Sequence, residues 1–347
     1  MKRAAVIPTV LFFIVAVLLV LNSTVALAQQ KTFSLKFASP MPPTHGHAKL
    51  WDWWAQELEK RTGGRVKTSV YHAGSLGAGP EIWENILKGI ADLGAIGNYT
   101  PGKHPVENEL IQALPFRIPN PSTTGHIFSN LYYKGLLNHE IGEYKFLFTQ
   151  PTELYVIATR RKKIVKADDF RGLRIRVPGV SPTLKAFGAE TVAMPVPELY
   201  GAIERGIVEG LLAGISIIPA AKLEKLIKYV NVESFGVGNW YICMNKKIWS
   251  TLPPDIQVII DELDQEAYFR NLEVTHNYTS EIFSACKAAG AEIYGAEPVE
   301  LKRWKDLTAT LFTDWIKEMD AKGLHGTQIK NETLRVLEMH GVDPGIR

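Results

Sequence analysis

Residues 80–97 read PEIWENILKGIADLGAIG, and residues 197–214 read PELYGAIERGIVEGLLAG. Aligned without gaps, the two stretches share Pro80/Pro197, Glu81/Glu198, Ile86/Ile203, Gly89/Gly206, Ile90/Ile207 and Gly97/Gly214. Each opens on Pro-Glu, which suits a first helical turn, where proline lacks only an orphan N–H and glutamate complements the helix dipole. Each then meets a basic residue followed by glycine, a helix stop, and leaves it into a short apolar strand. Chance similarity of two generic helix–strand units is the bland alternative. The sharper reading is a chain built from two similar α/β lobes, with one cleft between them.

The flanking sequence agrees with an α/β fold. Residues 32–38 alternate Phe33, Leu35 and Phe37 with polar neighbours, the period of a half-buried strand. Leu50, Trp51, Trp54 and Leu58 mark one face of a helix between Thr44 and Arg61, which Gly63-Gly64 ends. A strand follows at Val66–Tyr71, so the order is β-α-β with a largely parallel sheet. Further strands are expected at 155–159, 173–177 and 240–245. Ser181-Pro182 starts a helix, Pro253-Pro254 opens a long one closed near Gly290, and residues 299–319 form another.

Composition narrows the function. The chain has 347 residues, with 39 Lys and Arg against 36 Asp and Glu, and no long charged run. No basic stripe of the kind nucleic acid requires is visible. Two cysteines, Cys243 and Cys286, exclude a disulfide-dense scaffold and a cysteine zinc cage, but leave one disulfide open. Residues 1–28 read as a signal peptide. Lys2 and Arg3 precede an apolar run, and Ala26-Leu27-Ala28 gives the small-x-small pattern for cleavage near Ala28. That run is shorter than a membrane span, and an uncleaved anchor is the competing reading. The mature chain is expected in the periplasm.

Catalytic signatures are missing: there is no GxSxG, HExxH, GxxxxGK[ST] or CxxC. His45-Gly46-His47 supplies too few ligands for a structural metal, and its histidines are read as loop residues. No enzyme activity, cofactor or metal is expected. A small-molecule cleft is left, and in open α/β sheets it lies beyond the carboxyl ends of the strands. Arg176, in Leu173-Arg-Ile-Arg-Val-Pro-Gly179, ends a strand before a Pro-Gly turn, where a guanidinium fork would match a carboxylate. Position alone leaves Arg174 and Arg176 nearly even. Strand-end geometry adds Ser39, Asn98, Tyr99, Ser216, Asn239 and Trp240, and Phe37, Trp83, Tyr99 and Trp240 are candidates for apolar walls.

With these residues in view, the chain resembles the DctP-type solute-binding proteins of tripartite ATP-independent periplasmic (TRAP) transporters. The resemblance rests on Gly74-Ser-Leu-Gly77, Glu81, Gly89-Ile-Ala-Asp92, Leu114-Pro-Phe116, Gly172–Gly179, Val208-Glu-Gly210, Met244-Asn245, Trp249 and Leu252-Pro253. It implies two α/β lobes joined by hinge crossings, a long helix bracing both, and delivery of a ligand to TRAP permease subunits in the membrane. The lobes would be 29–153 with 241–283, and 154–240 with 284–347 and the C-terminal helices. It also implies that Arg176, matching the arginine of a (K/R)-(I/L)-R-V-P motif, holds the ligand carboxylate. A second pocket arginine found in sialic-acid-type members has no counterpart within residues 155–158, and their pocket asparagine is replaced by Ala213. The expected ligand is therefore a small organic acid, a monocarboxylate with a less polar far end. A periplasmic sensor of the same fold and an exported enzyme are the rival functions.

Overall fold

The computed structural model describes residues 31–97, 106, 109–179, 181–194, 196–343 and 345. The proposed signal segment, Asn98 and Tyr99 lie outside them.

Strands β1 (Phe33–Ala38) and β2 (Val66–Tyr71) are parallel and joined by helix α1 (Gly46–Arg61). Helix α2 (Gly79–Leu87) leads into β3 (Leu93–Gly97), which adds parallel to β1. Helix α3 (Pro121–Tyr133), capped by the Asn120 side chain, precedes β4 (Tyr144–Thr159). In the second half come β5 (Arg174–Val177), β6 (Glu190–Ala193), helix α4 (Val196–Glu204), β7 (Gly210–Gly214), β8 (Tyr229–Asn231) and β9 (Val237–Asn245). The strand order is β2-β1-β3-β9-β4-β7-β5-β6, with β8 on β4.

The two sequence copies occupy equivalent places. β3 lies between parallel β1 and antiparallel β9, while β7 lies between parallel β5 and antiparallel β4. Gly89 and Gly206, which end the two helices, have φ of 75° and 72°, the left-handed region that glycine tolerates. The acidic residue before each strand does the same work in both copies. Asp92 accepts the Lys36 N–H at 2.7 Å, and Glu209 accepts the Arg174 N–H at 2.6 Å.

Two long elements tie the halves together. The 16-residue β4 pairs with β9 through its first part and with β7 and β8 through residues 155–159. Helix α5 (Pro254–Ala288), 35 residues, is roughly 52 Å long at 1.5 Å per residue. Its Ile256, Ile260 and Leu263 pack with Trp51 and Trp54 of α1, and its Ile282 and Cys286 pack in the core around α4 and β7. One helix thus braces both lobes.

Two expectations need correction. Residues 299–319 are two helices, α6 (Pro298–Leu307) and α7 (Ala309–Ala321), broken at Thr308, whose hydroxyl donates to the Trp304 carbonyl at 2.9 Å. Trp304 packs with Phe170 and Phe187 of the second lobe. By contrast α7 and α8 (Gly326–Met339) bury Phe312, Met319 and Leu337 with Ile86, Phe128 and Tyr241 of the first lobe, so the C-terminal helices are not all in the second. The disulfide that the sequence left open is not formed: Cys243 and Cys286 sit in different cores.

Candidate functional site

Arg176 is positioned by strand alternation. Its neighbours Ile175 and Val177 enter the core with Phe170 and Leu184, which turns Arg176 to the opposite face of β5. There it lines a cleft between the lobes, 4 % exposed, with its Nε donating to the Met194 carbonyl at 3.0 Å. No carboxylate pairs with it among the described residues, and burial pulls its guanidinium below the usual arginine range. Arg174 is different. It is exposed, donates to Gly206 O at 2.7 Å and pairs with Glu209 at 3.0 Å. The geometry separates two arginines that sequence position left even.

The cleft has a cavity volume of about 140 Å³. Its walls are mainly apolar or small: Met41, Tyr155, Pro178, Val196, Ala213, Gly214, Ile217, Gly238 and Trp240. Trp240 is wedged edge-on to the His47 ring at 5.0 Å and against Trp51 at 5.3 Å, which fixes the indole. Asn239 accepts from Thr149 Oγ1 at 2.6 Å, leaving its buried Nδ2 without a partner among the described residues.

A second charged group faces the same space. β4 and β9 slip register between Pro151 and Leu154, and this bulge carries Thr152 and Glu153 into the cleft. Glu153 Oε1 accepts the Ser216 N–H at 3.1 Å from the second lobe, and Oε2 lies 3.5 Å from His47 Nε2 of the first. Burial alone would raise this carboxyl. The His47 ring and the Ser216 N–H outweigh it and hold the group down to about 2, so it is anionic. His47 Nδ1 in turn lies 3.0 Å from Gln150 Nε2 and 3.1 Å from Asn271 Oδ1, and Asn271 Nδ2 donates to the Pro151 carbonyl at 2.8 Å. His45 caps α1 and also lines the cleft, and burial lowers it to about 4.

The site residues expected from sequence divide as follows. Arg176, Ser216, Asn239 and Trp240 meet at the cleft. Phe37 does not: it stacks on Trp51 at 5.5 Å inside the first-lobe core, because period-two alternation pointed it inward. Trp83 is a core residue edge-on to Tyr144 at 5.6 Å, fixed by the buried face of α2. Ser39 is buried beside His72 and donates to Met41 O at 3.2 Å, leaving Met41 to reach the cleft instead. Glu153, Thr152 and the two histidines were missed. His45 and His47 are the cap and first turn of α1 rather than loop residues. A signal for Glu153 existed, since a proline inside an apolar strand-like run marks a bulge. Among the described residues no group of three or more His, Cys, Asp and Glu side chains could hold a metal.

The family model for the bacterial extracellular solute-binding proteins, family 7 (DctP), matches residues 36–318. The chain belongs to this family. The C4-dicarboxylate-binding periplasmic protein DctP of Rhodobacter capsulatus is 22 % identical over 304 residues, 84 % of this chain and 87 % of that one. A marine metagenome TRAP solute-binding protein specific for aromatic acids, solved with 3-hydroxybenzoate, is 24 % identical with a TM-score of 0.80, over 89 % of this chain and 99 % of that one. A TRAP solute-binding protein of Rhodoferax ferrireducens, solved with copurified benzoate, is 24 % identical with a TM-score of 0.79, over 89 % and 98 %. The chain is thus a solute-binding protein of the DctP type, and the family is periplasmic. Among the described residues no helix is long and apolar enough to cross a membrane.

Proposed function

We propose that this DctP-family chain captures a small monocarboxylic acid by pairing its carboxylate with Arg176. The observation that carries this reading is a buried, cleft-facing guanidinium with no carboxylate partner among the described residues. A cation in that position is costly until an anion joins it, and the pair gains strength as closure removes water. The largely apolar walls, Tyr155 and Ala213 among them, favour an aromatic or branched body. The solved relatives that hold 3-hydroxybenzoate and benzoate support the same class.

The cycle is capture in an open state, hinge closure along β4, β9 and α5, and delivery to the TRAP permease subunits. Residues 1–28 direct export and are removed near Ala28, placing the mature chain in the periplasm. The lobe division is assigned as 29–153 with 241–283 and 154–240 with 284–307, the helices after residue 308 joining the first lobe. Native mass spectrometry of freshly purified protein, followed by calorimetry with the copurified acid, tests the reading. Retention of an organic monocarboxylate supports it; full-affinity binding by Arg176→Ala overturns it.

A further inference from the structure

Arg176 is not the only charge built into the cleft. Glu153 is fully buried, lines the same cavity, and forms no ion pair with Arg176 among the described residues. Its place is prepared by three features: the β4 bulge that turns it inward, the Ser216 N–H that binds Oε1, and Gly214. A Cβ on Gly214 would stand 2.5 Å from Oε1, so glycine is what lets the carboxylate lie against β7. Among the described residues Oε2 has only the His47 ring, at 3.5 Å, longer than a good hydrogen bond. A carboxylate has about four acceptor positions, which leaves Glu153 acceptor capacity for a ligand.

We infer that Glu153 sets ligand choice: the cleft takes a monocarboxylate that also carries an uncharged hydrogen-bond donor, a hydroxyl or N–H, and rejects a second carboxylate. The inference rests on Arg176 holding the ligand's carboxylate. A donor that reaches Glu153 makes a charge-assisted bond, stronger than one between neutral groups. A second carboxylate there would meet a like charge in a desolvated space, the repulsive element that specificity requires. His45 does not offset it, because burial keeps that ring neutral at physiological pH. The unpartnered Asn239 Nδ2 offers a donor to the ligand's acceptor atoms, not a charge.

Three probes of one shape separate the possibilities: 3-hydroxybenzoate, benzoate and benzene-1,3-dicarboxylate, titrated calorimetrically into the full-length mature protein. The wild type should bind 3-hydroxybenzoate about tenfold or more tighter than benzoate, the scale of a hydrogen bond to a charged group. The dicarboxylate should bind at least about a hundredfold more weakly than 3-hydroxybenzoate. Glu153→Gln keeps the shape and removes the charge, so the dicarboxylate should gain about tenfold or more relative to benzoate. Glu153→Asp should keep the wild-type order. Equal wild-type affinity for the dicarboxylate and 3-hydroxybenzoate overturns the inference, as does an unchanged ranking in Glu153→Gln or no binding of any probe at millimolar concentration. Arg176→Ala separates the two readings. If it abolishes binding while Glu153→Gln leaves the ranking intact, only the Glu153 inference falls; if it binds as the wild type does, the anchor falls too. The wild-type ranking is decisive without any variant, should one fail to fold.

Discussion

Gly214 and Glu153 are fitted to one another across the strand pair β4–β7, with Oε1 occupying the space that a Cβ on residue 214 would fill. The backbone of Gly214 is not left-handed, so the requirement is for room rather than for φ. Gly214→Ala should push the carboxylate off the Ser216 N–H, destabilise the fold by about 1–3 kcal/mol through overpacking, and weaken ligand binding. Urea denaturation and calorimetry read the two effects, and wild-type values in both would show that Glu153 can repack freely.

Arg176 and Arg174, two residues apart, should respond in opposite ways. Arg176→Ala should weaken binding roughly thirtyfold to several thousandfold, equivalent to the ~2–5 kcal/mol lost when one partner of a buried charge pair is truncated. Its ligand-free stability should stay level or rise, since an uncompensated buried cation is removed. Arg174→Ala deletes an exposed pair with Glu209, worth about 0–1 kcal/mol, and should leave affinity unchanged. Equal losses of affinity in the two variants would contradict the assignment.

The repeat makes the fold legible in the sequence, because helix stop, left-handed glycine and strand entry are local signals that need no partner. Pairing of Ser181 with the Leu184 N–H and the long helix from Pro254 were readable for the same reason. Arg176 was legible only in part: a strand end before Pro-Gly is a local signal, but it left Arg174 and Arg176 even, and the resemblance to the DctP family, not position, favoured Arg176. Phe37 and Trp83 were misplaced because an aromatic at a strand end or helix face looks alike whether it borders a cleft or a core. Glu153 was missed because its role depends on Ser216, 63 positions away in sequence, and on His47, 106 positions before it. Pro151 marks the bulge that turns Glu153 inward, but nothing in the sequence around it names the partners it meets across the lobes. The C-terminal helices illustrate the same limit, since only tertiary packing decides which lobe an amphipathic helix covers.

Asp264 of α5 is buried, accepts the Trp54 indole N–H at 2.9 Å on Oδ1, and has no partner for Oδ2 among the described residues. Burial raises its carboxyl well above the ordinary range, so the folded chain holds it protonated where the unfolded chain ionises it. That difference costs stability as pH rises past the unfolded value. Asp264→Asn keeps the acceptor for Trp54 without the proton and should raise the melting temperature at pH 7, by about 2–4 °C for each kcal/mol regained. The gain should shrink as pH falls toward 4. A pH-independent difference would mean that the carboxyl is not neutral in the fold.

His45 and Glu153 set two successive acid limits. The His45 ring titrates near 4 in the fold against 6.5 outside it, because burial penalises its charged form. Its contribution is therefore complete above pH 6.5 and is lost as pH falls toward 4, on the order of 3 kcal/mol at 1.36 kcal/mol per unit. Glu153 titrates near 2 against an ordinary 4.5, so its contribution is present above pH 4.5 and is lost only as pH falls toward 2. Melting temperatures of the wild type should consequently drop in two stages on acidification. His45→Asn keeps a capping side chain for α1 and should flatten chiefly the upper stage, whereas Glu153→Gln should flatten chiefly the lower; each also shifts the other stage slightly, because the His45 charge helps hold Glu153 down and the Glu153 charge raises His45. If either variant follows the wild-type curve through its own window, that group's native environment differs from the one described.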